Sequence, residues 1–324
     1  MSALILSIAE DKSTQDVVKW LCRKGVDFYR INSIDKITDI EITLNSDKND
    51  IKIEINNEYF VSLLEIESSW FRRGDIKYGI YFDIIKERRN KIFQNYLIDE
   101  VVVIRDLIFN ILKTKRSINT FYDEVLNNKL IDLFDAHSIG FEIPRSLITG
   151  NKKKACTFLE NFASITKSLS NPFNAEDGSY YISSGGTLES YLSDLYPKDD
   201  FYFASFLQCK IDKSYEVRVF YLHGEFYPMA IFSQLDDRTK LDYRNYNTER
   251  PNRCVPFKLP QILEKNILRF MHLKNYNSGS LDFIVTNSDE FVFLEVNPLG
   301  QYDWVSYNCN YYIDEIISNY LCNE

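Results

Sequence analysis

Near the end of the chain, two acids and an amide fall at spacings that suit chemistry. Asp282 lies in the apolar run LDFIVT (281–286), Glu295 and Asn297 in FVFLEVN (291–297), and NSDE separates the two runs. Both runs are rich in β-branched and aromatic residues and NSDE carries turn chemistry, so the spacing predicts a β-hairpin. Closed so that Thr286 pairs with Phe291, the hairpin sets Asp282 opposite Glu295, and the alternation of strand side chains returns Asn297 to the same face. Like charges directly opposite each other destabilise an antiparallel pair, and ionised carboxylates resist unpaired burial. A cation between them removes the conflict. Two carboxylates and an amide carbonyl suit a hard ion such as Mg²⁺, while the lack of His and Cys in the set disfavours zinc and copper. The plainer alternative is an amphipathic hairpin that turns two acids to solvent. The NPLG exit (297–300) stops the strand and holds Asn297 near its end.

A site for metal and phosphate also needs cationic side chains. Lys129 and Lys167 each start or interrupt an otherwise apolar element in the middle third. Taken singly, either one is more simply a snorkelling surface lysine, so the case rests on the set. KERRNK and NKKK read as solvated helix faces. WFRRG (70–74) differs, because Arg72 and Arg73 follow an apolar strand and are candidates to grip an acidic substrate.

Composition limits what these residues serve. The 324 residues are 45% hydrophobic and 26% charged, as in a folded protein with two or three lobes. A net charge of −9 argues against general nucleic-acid binding, which needs a basic face. No apolar run is long enough for a membrane span and no signal-peptide plan opens the chain, so a cytoplasmic protein is expected. The six cysteines are scattered without a CxxC pair, as reduced thiols rather than a disulfide framework or zinc site.

The elements that must position these residues read as α/β. SALILSIAED, STQDVVKWLCRKG and VDFYRIN suggest strand, helix, strand, with Ser13 as N-cap and Gly25 closing the helix. A long helix is expected over about 81–113, starting in KERRNK, and a domain boundary near 115–119. The apolar stripe Leu130, Leu133, Phe134 and His137 marks a helix closed by Gly140, with His137 as a satisfied core residue. KKKACTFLENF reads as a helix, ASITKSLS as a strand, and FYFASFLQCKID and YEVRVFYLHGEFYPMAIFSQ as further strands. A polar, arginine-rich loop, LDYRNYNTERPNRCVPFKLP, precedes the helix QILEKNILRFMHLK. The expected division is 1–117, 118–200 and 201–324.

In combination, NKLIDLFDAHSIGFEIP, ITK, FLQCKID, YEVRV, DYRN and Asp282 with Glu295-Val-Asn297-Pro resemble the ATP-grasp superfamily of carboxylate ligases, from about residue 127 onward. The resemblance implies an N-terminal α/β pre-grasp domain, a small central lobe and a C-terminal lobe, with ATP clamped between two sheets. It implies that Lys129 and Lys167 reach the nucleotide phosphates, and that the linker Gln208, Cys209, Lys210, Ile211 and Asp212 frames adenine and ribose. Arg218 and Arg244 match the arginines that neutralise the transferred phosphate and the activated carboxylate. Asp282, Glu295 and Asn297 match the ligands of magnesium, in two ions. There are departures: Ser168 stands where many relatives have Pro, Cys209 replaces a frequent acid, and only Gly178, Gly185 and Gly186 are available for a phosphate lid.

Within the superfamily, WFRRG, the loop DYRNYNTERPNRCVPFKLP and the ending EVNPLGQYDWVSYNCNYYIDEIISNYL look like the graspetide synthetases, maturases of microviridin-like peptides that include the grasp-with-spasm type. That likeness implies a homodimer that binds the leader of a ribosomal precursor peptide. It would activate Asp or Glu side chains of the core as acyl phosphates and form esters or amides with Thr, Ser or Lys. Rival readings are a ligase that adds free amino acids, a small-molecule kinase, and a peptide-binding protein without catalysis.

Overall fold

The computed structural model describes all residues except 1, 48, 79–83, 88–89, 171–173, 178–179, 184–185, 192–200, 246 and 324, with backbone alone at 77, 174–177, 180–183 and 201–203. Contacts divide the chain into two compact units. The first comprises Met1–Leu126, Tyr276–Ser278 and Gln301–Glu324, the second Asn127–Asn275 and Gly279–Gly300.

In the first unit, a four-stranded parallel sheet runs in the order Asp27–Asn32, Ser2–Ser7, Ser68–Phe71 and Arg116–Ile118. Helices over Lys12–Lys24 and Ile313–Cys322 pack together, and Leu4, Ile5, Leu21, Trp70 and Leu321 are buried. The first helix is capped by Asp11 and not by the expected Ser13. The Asp11 carboxylate accepts from Thr14 N and Thr14 Oγ1 at 2.7 and 2.9 Å, while Ser13 already lies inside the helix. Gly25 closes the helix in the left-handed region at φ 66°. A second sheet is ordered Tyr59–Ser62, Asp50–Ile55, Lys36–Thr43 and Lys77–Tyr78. The long helix spans Lys91–Thr114 and not the whole of 81–113, because Asn90 accepts from Ile92 N and Phe93 N and so sets the start. KERRNK therefore ends at the helix start, with Asn90 as cap and Lys91 as first residue; its Arg88 and Arg89, like Tyr81, lie outside the described residues.

The two units are cut differently from the expected 1–117, 118–200 and 201–324. Residues 115–119 hold a strand of the parallel sheet, and the division falls after Leu126. The C-terminal helix belongs with the first unit because Ser68 Oγ and Arg116 Nη2 donate to Leu321 O, both at 2.8 Å, and Trp20 Nε1 donates to Asp314 at 2.8 Å.

The second unit holds two main sheets. The smaller is ordered Thr187–Ser190, Ser164–Lys167, Phe201–Cys209 and Ser146–Asn151, all antiparallel, with the helix Lys152–Asn161 packed on Leu207 through Ala155 and Phe158. The larger is ordered Arg253–Pro256, Glu225–Phe232, Lys213–Leu222, Ser278–Thr286 and Phe291–Asn297. Helices Lys129–Ser138 and Gln261–Lys274 accompany the larger sheet. Phe141 stacks on Phe293 at 5.4 Å between centroids, and Phe270 and Phe283 close the cluster. The expected core role of His137 does not hold: its ring is exposed and Phe134 is 75% exposed, since the helix buries its other face through Asp132, Leu133 and Ala136. Gly178 and Gly185 of the expected phosphate lid lie outside the described residues.

Candidate active site

The carboxylate hairpin forms as Ser278–Thr286 and Phe291–Asn297, and Asp282 pairs with Glu295. It reaches that pair by another register than counting back from Thr286 suggests. Val285, Ile284 and Phe283 pair with Phe291, Val292 and Phe293; the register then shifts, and Asp282 meets Glu295 with Leu294 as the extra residue. A β-bulge re-aims side chains locally, and here it sits one residue from the acids. Phe293 N donates to Glu142 O at 2.8 Å, tying the bulged strand to the chain after the Lys129 helix. Ser280 pairs with Asn297, whose carbonyl accepts from Gly300 N at 3.0 Å, and Asn297 itself is exposed. Gly300 is required by close approach: a Cβ there would fall 2.2 Å from Ser280 Oγ and 2.6 Å from Ser280 N.

Asp282 and Glu295 line a cavity of about 70 Å³ together with Lys167, Asp242, Tyr243 and Arg244. The smaller sheet contributes Ile165, Lys167 and Gln208 to its wall and the larger sheet the hairpin, so residues of both sheets face one space. A larger cavity of about 360 Å³ in the first unit, with Lys12, Asp16, Trp304 and Asp314 among its lining, has no comparable mix of facing cations and acids.

Electrostatics in the smaller cavity is strained. Burial pushes Asp282 up to about 6; Arg218 opposes the shift and Glu295 adds to it. Arg218 Nη1 stands 3.3 Å from both Asp282 oxygens and donates to Tyr243 Oη at 2.6 Å. Burial works against the Arg218 charge, yet Asp282 and Tyr243 leave its pKa raised. Arg244 closes its fork on Asp242 through Nε at 2.8 Å and Nη2 at 2.7 Å, and Nη1 lies 3.6 Å from Glu295. Lys167 has a lowered pKa, chiefly from burial, with Glu295 opposing and Lys129 and Arg244 reinforcing. Lys167 thus lies in the field of the hairpin, with the Lys129 charge near it. Lys129 occupies the first turn of its helix, where Asn128 caps Leu130 N and Ile131 N, and Asn127 Nδ2 donates to Val296 O at 3.4 Å. Lys274 fastens this helix from the far side, 2.9 Å from Asp132 and 3.0 Å from Asp135.

Of the residues singled out in the sequence, the cavity thus gathers Asp282, Glu295, Lys167, Arg244 and Gln208. Arg218 stands behind Asp282 and Tyr243 rather than in the wall, and Lys129 and Asn297 also lie outside it. In the linker, Gln208 is buried and donates to Ser146 Oγ at 3.0 Å, while Lys210 pairs with Glu189 and Asp212 is exposed. Cys209 N and Lys210 N donate to Arg145 O and Ala163 O, each at 2.8 Å, so these amides are not open to a base. Arg72 is buried in the first unit at 3.5 Å from Asp11, and Arg73 is 3.4 Å from the same carboxylate. Tyr243 and Asp242 went unnoticed in the sequence; their only signal was an aromatic and an acid beside the arginine in DYRN.

No family model matches the sequence, and no curated protein matches it. Solved structures do. A RiPP-associated ATP-grasp ligase from Chryseobacterium gregarium, in complex with ADP and a leader and core peptide, is similar over 99% of this chain and 96% of its own, with 24% identity and TM-score 0.81. The chain has the ATP-grasp fold. The macrocyclase MdnC from Microcystis aeruginosa MRC, bound with precursor peptide MdnA, is similar over 100% of both chains at 22% identity and TM-score 0.74. The ATP-grasp ligase PsnB, complexed with minimal precursor, Mg and ADP, covers 99% of this chain and 96% of its own at 13% identity and TM-score 0.73. Among the described residues no helix is long and apolar enough to cross a membrane.

Proposed function

We propose that this chain is an ATP-dependent ligase acting on a ribosomally made precursor peptide. It activates Asp or Glu side chains of the peptide core and joins them to Thr, Ser or Lys side chains of the same molecule. One observation carries the reading: on an ATP-grasp fold, an opposed pair of carboxylates faces a cavity whose other charged walls include Lys167 and Arg244. The solved structures of similar fold support it, since their own complexes hold ADP, magnesium and precursor peptides.

The residues present fit magnesium. Asp282 and Glu295 set two carboxylates directly opposite each other on the hairpin, hard oxygen donors of the kind magnesium takes. Neither His nor Cys belongs to the set, which disfavours a softer metal. Asp282, Glu295 and Asn297 would hold the metal, in two ions. Bound there, magnesium supplies charge neutralisation and orientation for phosphate oxygens.

The chain's own groups do the rest. Lys129 and Lys167 meet the phosphates, and Arg244 presents its charge toward the cavity while Arg218 backs Asp282. The linker from Gln208 to Asp212 frames the base and ribose. A peptide carboxylate oxygen attacks the γ-phosphorus of ATP, the bond to the bridging oxygen breaks, and ADP leaves. Phosphoryl transfer asks mainly for such positioning and charge neutralisation. A hydroxyl or amine of the peptide then attacks the acyl carbon, the bond to phosphate oxygen breaks, and the proton is balanced by release of hydrogen phosphate. The enzyme would work in the cytoplasm as a homodimer that engages the leader segment; Arg72 and Arg73 both lie against Asp11, and Arg73, the more exposed of the two, is the better candidate for contact with an acidic peptide.

Mass spectrometry tests the reading. Incubation with ATP, magnesium and a peptide rich in Thr, Lys, Asp and Glu, encoded beside the gene, is expected to remove one water per bond. An added phosphate would assign a kinase instead, and an unchanged mass would overturn ligation of that peptide class.

A further inference from the structure

At the buried contact between Arg218 and Asp282, a tyrosine hydroxyl makes the closer approach to the arginine. Charge-assisted N–H···O bonds usually close to about 2.7–2.9 Å, yet Arg218 Nη1 stands 3.3 Å from each Asp282 oxygen. The same nitrogen donates to Tyr243 Oη at 2.6 Å, a far closer approach than it makes to either carboxylate oxygen. The Tyr243 hydroxyl is in turn 3.5 Å from Asp282 Oδ1. A phenol hydroxyl takes the arginine's hydrogen bond without cancelling its charge.

The loop around Tyr243 is fastened on both sides of it. Asp242 receives Arg244 N at 3.0 Å, both forks of the Arg244 guanidinium, and Thr187 Oγ1 at 3.2 Å. The side chain between these two residues lines the cavity beside Asp282 and reaches Arg218. An arginine able to close on Asp282 would make a tight pair and draw off the charge that a cation needs.

We propose that Tyr243 is a positioning residue that holds Arg218 back from Asp282 and so keeps this carboxylate available to a divalent cation. The inference rests on Asp282 and Glu295 being metal ligands and adds a residue that acts through Arg218. Arg218 then tunes the affinity of the site rather than competing outright for its ligand.

Manganese binding, read by electron paramagnetic resonance in the presence of ADP, tests it without turnover. Tyr243→Phe keeps the ring and removes only the oxygen, and it is expected to weaken manganese affinity about tenfold, the scale of one hydrogen bond to a charged group. In an Arg218→Gln background, or Arg218→Met if the glutamine variant does not fold, adding Tyr243→Phe is expected to change the affinity by less than about twofold. Unaltered affinity in Tyr243→Phe overturns the proposal. Equal weakening with and without Arg218 also overturns it, since Tyr243 would then act only as packing. If the unaltered chain binds no manganese, the metal-site assignment itself fails, and this inference with it.

Discussion

Two buried arginine–aspartate pairs in this protein look alike on paper and differ in what surrounds them. In the first unit, Asp11 faces Arg72 and Arg73 and also accepts two hydrogen bonds from Thr14, so one carboxylate is met by two cations, a backbone amide and a hydroxyl. In the second, Asp282 faces Arg218 at 3.3 Å, a distant phenol and a second carboxylate, Glu295, directly across the ladder. The first arrangement is saturated and serves the fold. The second sets two carboxylates against each other in a cavity, one facing Arg218 and the other 3.6 Å from Arg244. Satisfaction of the acid, and not burial or the arginine, separates a structural pair from a functional one.

Substitutions can break this contrast. Asp282→Asn or Glu295→Gln is expected to lower ATP-dependent ligation by about a thousandfold or more, because charge neutralisation at phosphoryl transfer is lost. Thermal stability is expected to change little for Glu295→Gln, whose neighbour Arg244 keeps its fork on Asp242, and to fall for Asp282→Asn, which leaves Arg218 buried without its counter-charge. A large drop in melting temperature for Glu295→Gln would make that acid structural after all. Asp11→Ala should do the reverse: it removes a helix cap and the carboxylate facing Arg72, for a loss of about 3–5 kcal/mol in urea unfolding. Manganese affinity of the folded fraction is expected to stay as it was.

Smaller effects sharpen the picture. Gly300→Ala places a methyl group within 2.6 Å of Ser280 N and is expected to destabilise by about 1–3 kcal/mol, measured as a lower urea midpoint. Ser280→Ala in the same chain would not rescue it, because the clash includes backbone. The smallest change concerns pH. The folded Asp282 titrates at about 6 against an ordinary aspartate value of 3.8, so between these values the folded chain keeps a proton that the unfolded chain has released. Raising the pH through this window therefore removes stability contributed by the proton, and that loss is complete above about 6. Magnesium needs the ionised acid, so the rise in melting temperature it causes is expected to be larger at about pH 7.5 than at about pH 5. An equal rise at both would separate Asp282 from the metal.

How far the sequence could be read depended on the range of the interaction. Capping at Gly25 and the helices at 129–138 and 152–161 follow from neighbours within a turn or two, and they form as expected. Asp11 displaced Ser13 as N-cap because an ionised oxygen serves both Thr14 N and Thr14 Oγ1, a preference that two nearby capping residues do not reveal. His137 sits on the apolar stripe yet is exposed, since the Lys129 helix turns Asp132 and Leu133 inward, where Lys274 meets Asp132 from another helix. The strand at 116–118 read as a boundary because three residues carry too little periodicity to announce a parallel neighbour. The hairpin shows the limit most sharply: the acids do face each other, but through a bulge at Leu294 that compensates for a turn one residue out of the expected step.

Strand alternation and a short turn let the sequence suggest that Asp282 and Glu295 would be opposed, but the pairing is reached through the bulge at Leu294, which a count along the strands does not contain. Which cations stand near them was settled only by the tertiary structure. Arg218 lies 64 residues from Asp282 and Tyr243 lies 39 away, and no periodicity links such positions. Sheet order and the fastening of one loop bring them together, and with them the difference between an acid met by its own capping donors and one that shares a cavity with a second acid.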